Sequence, residues 1–178
     1  MHNKCVSCMA VTELQLQTFK NAEKHFAKHE YSQAAEYYSK LVPHLDKTNI
    51  WHIEMLGSYA ICLRYMENYA LAEEILFKQL DLYKEFGDSE NGVNIIHVRI
   101  GLCELYQLQG KYQKAINSLE PYVESCEFGK HISHYYLAIN QDKVGQPFLA
   151  KKHAKLAISA SNNADQEKHL KNELKHLL

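Results

Sequence analysis

One short pattern occurs four times along this chain, and it limits the possible folds more than any other feature. Each copy contains an alanine, and a second small residue lies twelve positions before it. These pairs are Ala22 and Ala34, Ala60 and Ala72, Cys103 and Ala115, and Ala138 and Ala150. Because helix axes approach closely only where side chains are small, the spacing predicts pairs of helices that cross at these positions.

The residues around each alanine follow the period of an α-helix. In the third copy, GKYQKAINSLEPYV, Ala115, Leu119 and Tyr122 are four and three residues apart, which places them on one helix face. Gly110 and Lys111 precede this helix as a tight turn. The copies HEYSQAAEYYSKLV, ENYALAEEILFKQL and GQPFLAKKHAKLAI keep the same steps. Each unit is therefore predicted to be a helix, a short turn and a second helix.

Composition favours an all-α fold with a substantial core. The 178 residues include only seven glycines and three prolines, and alternating strand patterns are scarce, so the helices are expected to be long. Hydrophobic residues make up 46% of the chain, which is ordinary for one globular domain. We therefore expect a single all-α domain.

The charge balance argues against two classes of partner. Twenty lysines and arginines nearly equal twenty-one aspartates and glutamates, so the chain lacks an electrostatic footprint for nucleic acid or anionic membranes. No apolar run approaches the roughly 18 residues of a membrane helix, and Met1 to Thr12 lacks the apolar segment of a secretory signal. We expect a cytoplasmic protein that binds neither nucleic acid nor membranes.

The third unit, LCELYQLQGKYQKAINSLEPY, resembles a tetratricopeptide repeat (TPR), and GSYAICLRYMENYALAEEIL resembles it almost as well. The first and fourth units depart more. His25 and Gln141 replace the first-helix tyrosine, Asn21 replaces a leucine, and no copy has the closing proline. The alanine spacings of 38, 43 and 35 residues exceed the usual spacing of about 34, so the repeats are somewhat lengthened.

The resemblance implies a right-handed α-solenoid of about four TPR-like hairpins with a C-terminal capping helix, in one domain over residues 12–178. The hairpins are expected at about 12–45, 50–87, 93–127 and 130–161, and the capping helix at about 164–178. In that last helix Leu170, Leu174 and Leu177 form one apolar stripe. Pro43 is expected to end or kink the second helix, and residues 1–11 are expected to be disordered.

Two kinds of metal-binding pattern occur without the partners that a site needs. CVSC, with Cys5 and Cys8, has the spacing of half a zinc site or of a redox pair, but no second such motif accompanies it, so we expect a frayed terminus here, with metal binding as the alternative. The histidine pairs His25/His29 and His131/His134 can each share a helix face. Neither pair is part of an HExxH motif, so we expect no metal site.

Catalysis is not expected either. Cys62 and Cys103 fall within helical patterns, where apolar surroundings raise a thiol pKa and make the thiol unreactive. The sequence contains no P-loop, no dinucleotide-binding glycine motif and no nucleophile at a turn between strand and helix. We expect no catalytic residue and no cofactor.

Under the TPR resemblance, the first helix of each hairpin lines a concave groove that binds partners. The residues predicted to line it lie opposite the small packing residues and combine apolar, aromatic and charged side chains. They are Phe19, Glu23, Phe26, Glu54, Ile61, Arg64, Tyr65, His97, Ile100, Glu104, Gln107, Ile132, Tyr135, Ile139 and Asp142. Such a surface suits a protein or peptide with hydrophobic anchors and some basic residues.

One activity known among TPR proteins is not expected. TPR co-chaperones hold the C-terminal carboxylate of a chaperone with cationic and amide side chains on successive first helices. The matching positions here hold Phe19, Glu23, Ser58, His97 and Gly101. These residues supply no permanent cation, so an acidic tail would find little to pair with.

We therefore hypothesise a non-enzymatic adaptor module that binds a protein or peptide. One alternative is a peptide-sensing regulator resembling the bacterial TPR sensors, although residues 1–11 are too few to form their N-terminal effector domain. A second alternative is a scaffold that self-associates, for example as a homodimer, through leucines of the capping helix. These are Leu170, Leu174, Leu177 and Leu178.

Overall fold

The computed structural model describes residues 12–90, 92–126 and 128–178, and in these ranges it contains nine α-helices and no β-strand. The helices are α1 (Glu13–Ala27), α2 (Tyr31–Leu41), α3 (Ile50–Tyr65), α4 (Tyr69–Phe86), α5 (Val93–Leu108), α6 (Tyr112–Val123), α7 (Lys130–Lys143), α8 (Pro147–Ser159) and α9 (Ala164–Glu173). Short 3₁₀ helices span Val42–His44 and Lys175–Leu177. The predicted all-α class is confirmed. Cys5, Cys8 and the disorder predicted for residues 1–11 lie outside the described residues.

The helices pair as hairpins in chain order. α1 packs on α2, α5 on α6 and α7 on α8, and the second helix of one hairpin packs on the first helix of the next, as α2 does on α3 and α6 on α7. The tertiary contacts divide the chain into two compact units, residues 1–75 (unit 1) and 76–178 (unit 2), with the boundary inside α4. The single domain expected from the sequence stays a prediction.

The four hairpin turns close with the same hydrogen bonds. Each has one residue at positive φ, and the next backbone N–H donates to the carbonyl five residues before it. The positive-φ residues are His29 (59°), Glu67 (58°), Gly110 (69°) and Gly145 (76°). The bonds run from Glu30 to His25, Asn68 to Leu63, Lys111 to Tyr106 and Gln146 to Gln141, over 2.8 to 3.0 Å. This is a Schellman motif, which ends a helix and turns the chain back.

The small residues of the repeat are buried, as their spacing predicted. Seven of the eight have no exposed surface, and Ala60 is 3% exposed. Because none of them has a side chain longer than that of cysteine, the two helices of a hairpin can pack closely at these points.

Helix ends follow local sequence signals. The Thr12 hydroxyl accepts a hydrogen bond from the Gln15 backbone N–H and caps α1, and Asn49 and Asn163 cap α3 and α9 through their side-chain oxygens. α2 ends at Leu41, and Pro43 lies in the 3₁₀ turn that follows, as expected.

The last two elements, α9 and the 3₁₀ helix after it, cover the α7–α8 hairpin and are here called the cap. Leu174 and Leu177 join a buried cluster with four alanines of α7 and α8, and Leu170 is also buried. α9 ends at Glu173 and is followed by the 3₁₀ helix Lys175–Leu177. The α-helix is therefore shorter than the expected range of 164–178.

Helix length and composition also bear on membrane insertion. Among the described residues, no helix is both long enough and apolar enough to cross a bilayer.

Candidate functional site

In unit 1, the predicted groove residue Glu23 contacts another helix of its own hairpin. Its Oε1 accepts a hydrogen bond from the Tyr38 hydroxyl over 2.5 Å, which links α1 to α2. Burial and this bond to a carboxylate raise the pKa of Tyr38 well above its usual value. Glu23 is therefore engaged within the hairpin and does not stand free for a partner.

The C-terminal end of α3 presents an aromatic pair. Tyr65 is 59% exposed and stacks on Tyr31, with ring centroids 4.2 Å apart and an angle of 1° between the planes. The Arg64 guanidinium lies 5.5 Å from the centre of the Tyr65 ring. Desolvation and a hydrogen bond with Tyr65 raise the pKa of Tyr31. The structure thus brings two predicted groove residues, Arg64 and Tyr65, into contact.

The other predicted residues of unit 1 differ in exposure. Glu54 is exposed, and no hydrogen bond or ion pair ties its side chain to another described residue. Phe19, Phe26 and Ile61 are half-buried. Phe26 packs edge-on against two tyrosines of the first hairpin, so it contributes to that hairpin's own packing.

Phe19 belongs to a pocket that was not predicted from the sequence. The pocket has a volume of about 150 Å³ and lies between α1, α3 and the segment that joins α2 to α3. Its lining consists of Gln15, Leu16, Phe19, Leu41, His44, Leu45, Asn49, Trp51, His52 and Met55. Leu16 and Trp51 are 46% and 70% exposed. Single exposed apolar residues are ordinary, but two of them beside an apolar cavity are typical of a binding surface.

Three of the four polar side chains of the lining, those of Gln15, Asn49 and His52, are hydrogen-bonded to the chain's own backbone. Gln15 Oε1 accepts a hydrogen bond from a backbone N–H within the cap of α1, and Asn49 Oδ1 accepts one from the Trp51 N–H. His52 Nδ1 accepts a hydrogen bond from the Asp46 N–H over 2.9 Å. With these atoms engaged, the pocket wall is almost entirely carbon.

A partial sequence signal for this pocket existed. Leu16 and Phe19 are three residues apart, and Trp51 and Met55 are four apart, so each pair shares one face of its helix. Whether the two faces meet depends on the path of residues 42–49, which carry no pattern that specifies it.

In unit 2, two predicted groove residues join α5 to α7. Glu104 accepts a hydrogen bond from the Tyr136 hydroxyl, and Gln107 Oε1 accepts one from Asn140 Nδ2 over 3.2 Å. Ile100 is only 9% exposed. These hydrogen bonds join neighbouring first helices, and the side chains of Glu104 and Gln107 remain half-buried.

Two further groove candidates of unit 2 lie against the cap. Tyr135 and Ile139 are half-buried and pack on the cluster that the cap leucines form with the alanines of α7 and α8. Desolvation raises the pKa of the Tyr135 phenol. His97 and Ile132 remain exposed, and Asp142 is half-buried. The cap therefore covers the part of α7 that was expected to face a partner.

A buried histidine pair lies between α7 and α8, and no spacing pattern of the sequence predicted it. The Nδ1 atoms of His134 and His153 are 2.8 Å apart, so one ring donates a hydrogen bond to the other. Desolvation lowers the pKa of both imidazoles, that of His153 to about 4. Both side chains are therefore neutral at pH 7.

The histidine pairs singled out by sequence spacing have separate partners. His25 Nδ1 lies 2.5 Å from a Glu30 carboxylate oxygen, and His29 Nδ1 lies 2.9 Å from the Tyr31 hydroxyl. His131 contacts a glutamine of α9. In the described part of the chain, no group of three or more His, Cys, Asp or Glu residues could hold a metal ion.

The cysteines of the described residues are buried thiols. Desolvation raises the pKa of Cys62 and of Cys103 to about 12, and it raises that of Cys126 as well. Thiols with such pKa values remain protonated near neutral pH and are poor nucleophiles.

Three of the four leucines considered for self-association are buried within the chain itself. Leu170, Leu174 and Leu177 are 5%, 0% and 9% exposed, whereas Leu178 is 44% exposed. A dimer that used these three leucines would first have to displace the cap from α7 and α8. In the folded chain they are therefore not accessible as an interface.

No protein-family model matches the sequence, and no curated protein matches it. Solved structures do match. One is a crystal structure of nearly identical TPR-like repeats from Podosopora anserina, described as those of a kinesin light chain. It aligns with a TM-score of 0.72 at 14% sequence identity, and the alignment covers 92% of this chain and 85% of that one. A single-substitution form gives a TM-score of 0.73 at 14% identity, covering 92% and 84%.

The chain has a TPR-like repeat fold. The resemblance to TPR proteins that the repeat pattern indicated is thereby confirmed at the level of fold. Stacked helical repeats in general create extended surfaces on which partners bind, and the fold by itself does not specify a function.

Proposed function

We propose that this chain binds a protein or peptide partner through the first helices of its TPR-like hairpins, and that in unit 1 the partner contacts the pocket between α1 and α3. The fold supports a protein-interaction module in general. The observation that carries the proposal is the apolar pocket lined by Phe19, with Leu16 and Trp51 exposed in its lining.

The exposed face of α3 extends this surface beyond the pocket. Trp51, Glu54, Ile61 and Tyr65 are spaced by three, seven and four residues, which keeps them on one side of a helix. Three of them are predicted groove residues, and the two aromatic rings at the ends are 70% and 59% exposed. Tryptophan and tyrosine dominate binding hot spots, and full burial of one such side chain contributes about 2–3 kcal/mol.

The test compares partner capture by three forms of the protein. Wild type, Trp51→Ala and Phe148→Ala are immobilised, exposed to extract of the source cell, and the captured proteins are quantified by mass spectrometry. We expect at least one protein whose capture falls about tenfold or more in Trp51→Ala. Phe148 is 81% exposed on α8, a second helix, and serves as the matched aromatic control.

Circular dichroism and thermal unfolding establish that each variant is folded. If Trp51→Ala captures the same proteins as wild type, the proposed surface is wrong. Loss of capture in Phe148→Ala alone would move the binding surface to the second helices.

A further inference from the structure

The pocket in unit 1 has the size of one side chain. An apolar cavity of roughly 150 Å³ holds a molecule as large as benzene. The pocket between α1 and α3 has this volume, and Phe19, Leu41, Leu45 and Met55 contribute apolar lining. It can therefore accept one leucine, isoleucine, methionine or phenylalanine side chain.

The wall of the pocket excludes a charged occupant. None of its lining residues is a lysine, arginine, aspartate or glutamate, and three of its four amide and imidazole side chains, those of Gln15, Asn49 and His52, accept hydrogen bonds from backbone N–H groups. A charge placed inside would lose its hydration without meeting a lysine, arginine or carboxylate with which to pair. An apolar occupant therefore fits this lining best.

The lining itself carries no lysine, arginine or carboxylate, but α3 carries a negatively charged residue next to the pocket. Glu54 follows Trp51 by three residues on the same face of α3, and it is exposed with no partner among the described residues. On α1, Glu13 precedes Leu16 by three residues and Lys20 follows it by four, so the two α1 charges offset one another. Glu54 is therefore the exposed carboxylate that shares a face of α3 with Trp51.

The composition of unit 1 reinforces this sign. Its described residues, 12–75, contain nine aspartates and glutamates against six lysines and arginines. A negative surface increases the association rate of a positively charged partner and lowers that of a negatively charged one.

We propose that the pocket binds one apolar side chain, of leucine to phenylalanine size, in a peptide segment that carries a lysine or arginine within a few residues of this anchor. The anchor fills the cavity, Trp51 and Leu16 cover it, and the basic residue pairs with Glu54. The inference rests on the proposed function, because it names the chemistry of the partner at the same site.

The single tryptophan of the chain reports on occupancy. Trp51 is the only tryptophan in the sequence and lines the pocket, so its emission shifts to shorter wavelength when a ligand excludes water from the ring. The probes are three terminally blocked heptapeptides, acetyl-GKGLGKG-amide, acetyl-GKGAGKG-amide and acetyl-GEGLGEG-amide. The first carries anchor and charge, the second lacks the anchor, and the third inverts the charge.

We expect saturable binding of the first peptide and a loss of about tenfold or more in affinity when leucine becomes alanine, because three carbons leave the cavity. Inverting the peptide charge should weaken binding at low salt, and Glu54→Lys should reverse this order of preference. Glu54 is exposed, so this variant is expected to fold normally. The reversal measures charge recognition and would not result from a structural role of Glu54.

Three results would overturn the inference. The leucine and alanine peptides could bind equally, the charge preference could persist unchanged in Glu54→Lys, or toluene could saturate the pocket while no peptide binds. If these occur while Trp51→Ala still abolishes capture of a cellular partner, only the peptide chemistry is wrong. If capture is also unaffected by Trp51→Ala, the proposed function fails as well.

Discussion

The Nδ1 atoms of His134 and His153 lie 2.8 Å apart where α7 packs on α8, and both side chains are almost completely buried. One ring donates its proton to the other. Full protonation of both rings would place two donors and two positive charges face to face, and the hydrogen bond would be lost.

We expect the free energy of unfolding to fall as the pH decreases from about 6.5 to about 4. Imidazoles of the unfolded chain take up protons near pH 6.5, whereas the folded pair resists, with a pKa of about 4 for His153. The unfolded state then binds more protons than the folded state. The free energy of unfolding is therefore highest above pH 6.5 and falls by about 1–3 kcal/mol as the pH decreases. Urea unfolding at pH 7.5, 6.0 and 4.5 measures this loss.

The control for the histidine pair is the double variant His134→Gln/His153→Gln, which removes both titrating groups and keeps hydrogen-bonding side chains. Its stability should change less with pH than that of wild type. The charged groups that act on the pair remain in both forms and are Glu120, Glu124, Lys130 and Lys152. An identical pH dependence in the two forms would contradict the assignment.

Replacing Glu67 by glycine should stabilise the second hairpin by about 1 kcal/mol, because Glu67 has φ of 58° and only glycine adopts this conformation without a steric penalty. Glu67→Ala removes the same side chain but keeps the penalty, so it should leave stability nearly unchanged. Thermal and urea unfolding compare the three forms. Equal effects of glycine and alanine would show that the turn is not strained.

The reverse change should destabilise the equivalent turns. Gly110 and Gly145 have φ of 69° and 76°, and a Cβ at either position would meet no atom within 4 Å. Alanine should therefore cost about 1 kcal/mol through the backbone alone. A loss of several kcal/mol in Gly110→Ala, measured by urea unfolding, would point to a clash and disagree with this geometry.

Tyr38→Phe should destabilise the chain by about 1–2 kcal/mol, because it leaves the half-buried Glu23 carboxylate without the hydroxyl that donates to it. Tyr59 is buried in the same unit, and no hydrogen bond ties its hydroxyl to another described residue. Tyr59→Phe is therefore the matched control and should have little effect. Urea denaturation that ranks the two variants in the opposite order would exclude a stabilising role for the Glu23 contact.

Leu174→Ala should cost about 2–4 kcal/mol, because Leu174 is completely buried among the alanines of α7 and α8 and its truncation leaves a cavity. Leu178→Ala, at a residue 44% exposed, should cost little. Sedimentation of both variants alongside their unfolding also tests self-association. A dimeric wild type that becomes monomeric in Leu178→Ala would revive the scaffold alternative that the burial of the cap disfavours.

The elements of this fold were predictable because their signals are local. The small residues twelve positions apart, the turns before Ala34 and Ala115, and the caps at Asn49 and Asn163 all depend on contacts within one hairpin or one helix turn. Even the turn at Glu67, which lacks glycine, closes like the others because the flanking helices impose its conformation.

The open surface was harder to predict because helical spacing specifies a face of a helix but not what packs on it. Glu104 and Tyr135 share the predicted face of their helices with exposed residues such as His97. The partner of Glu104 is Tyr136, thirty-two residues away, and Tyr135 lies against the cap. Neither contact is visible in the period of a single helix.

The sequence by itself determined the order of helices, the positions of the turns and the crossing points, since short-range backbone bonds and small side chains control these features. Only the tertiary structure decided the pocket between α1 and α3 and the histidine pair of α7 and α8. Each arises from residues on separate helices, whose distance depends on how the helices pack and on the path of the segments between them.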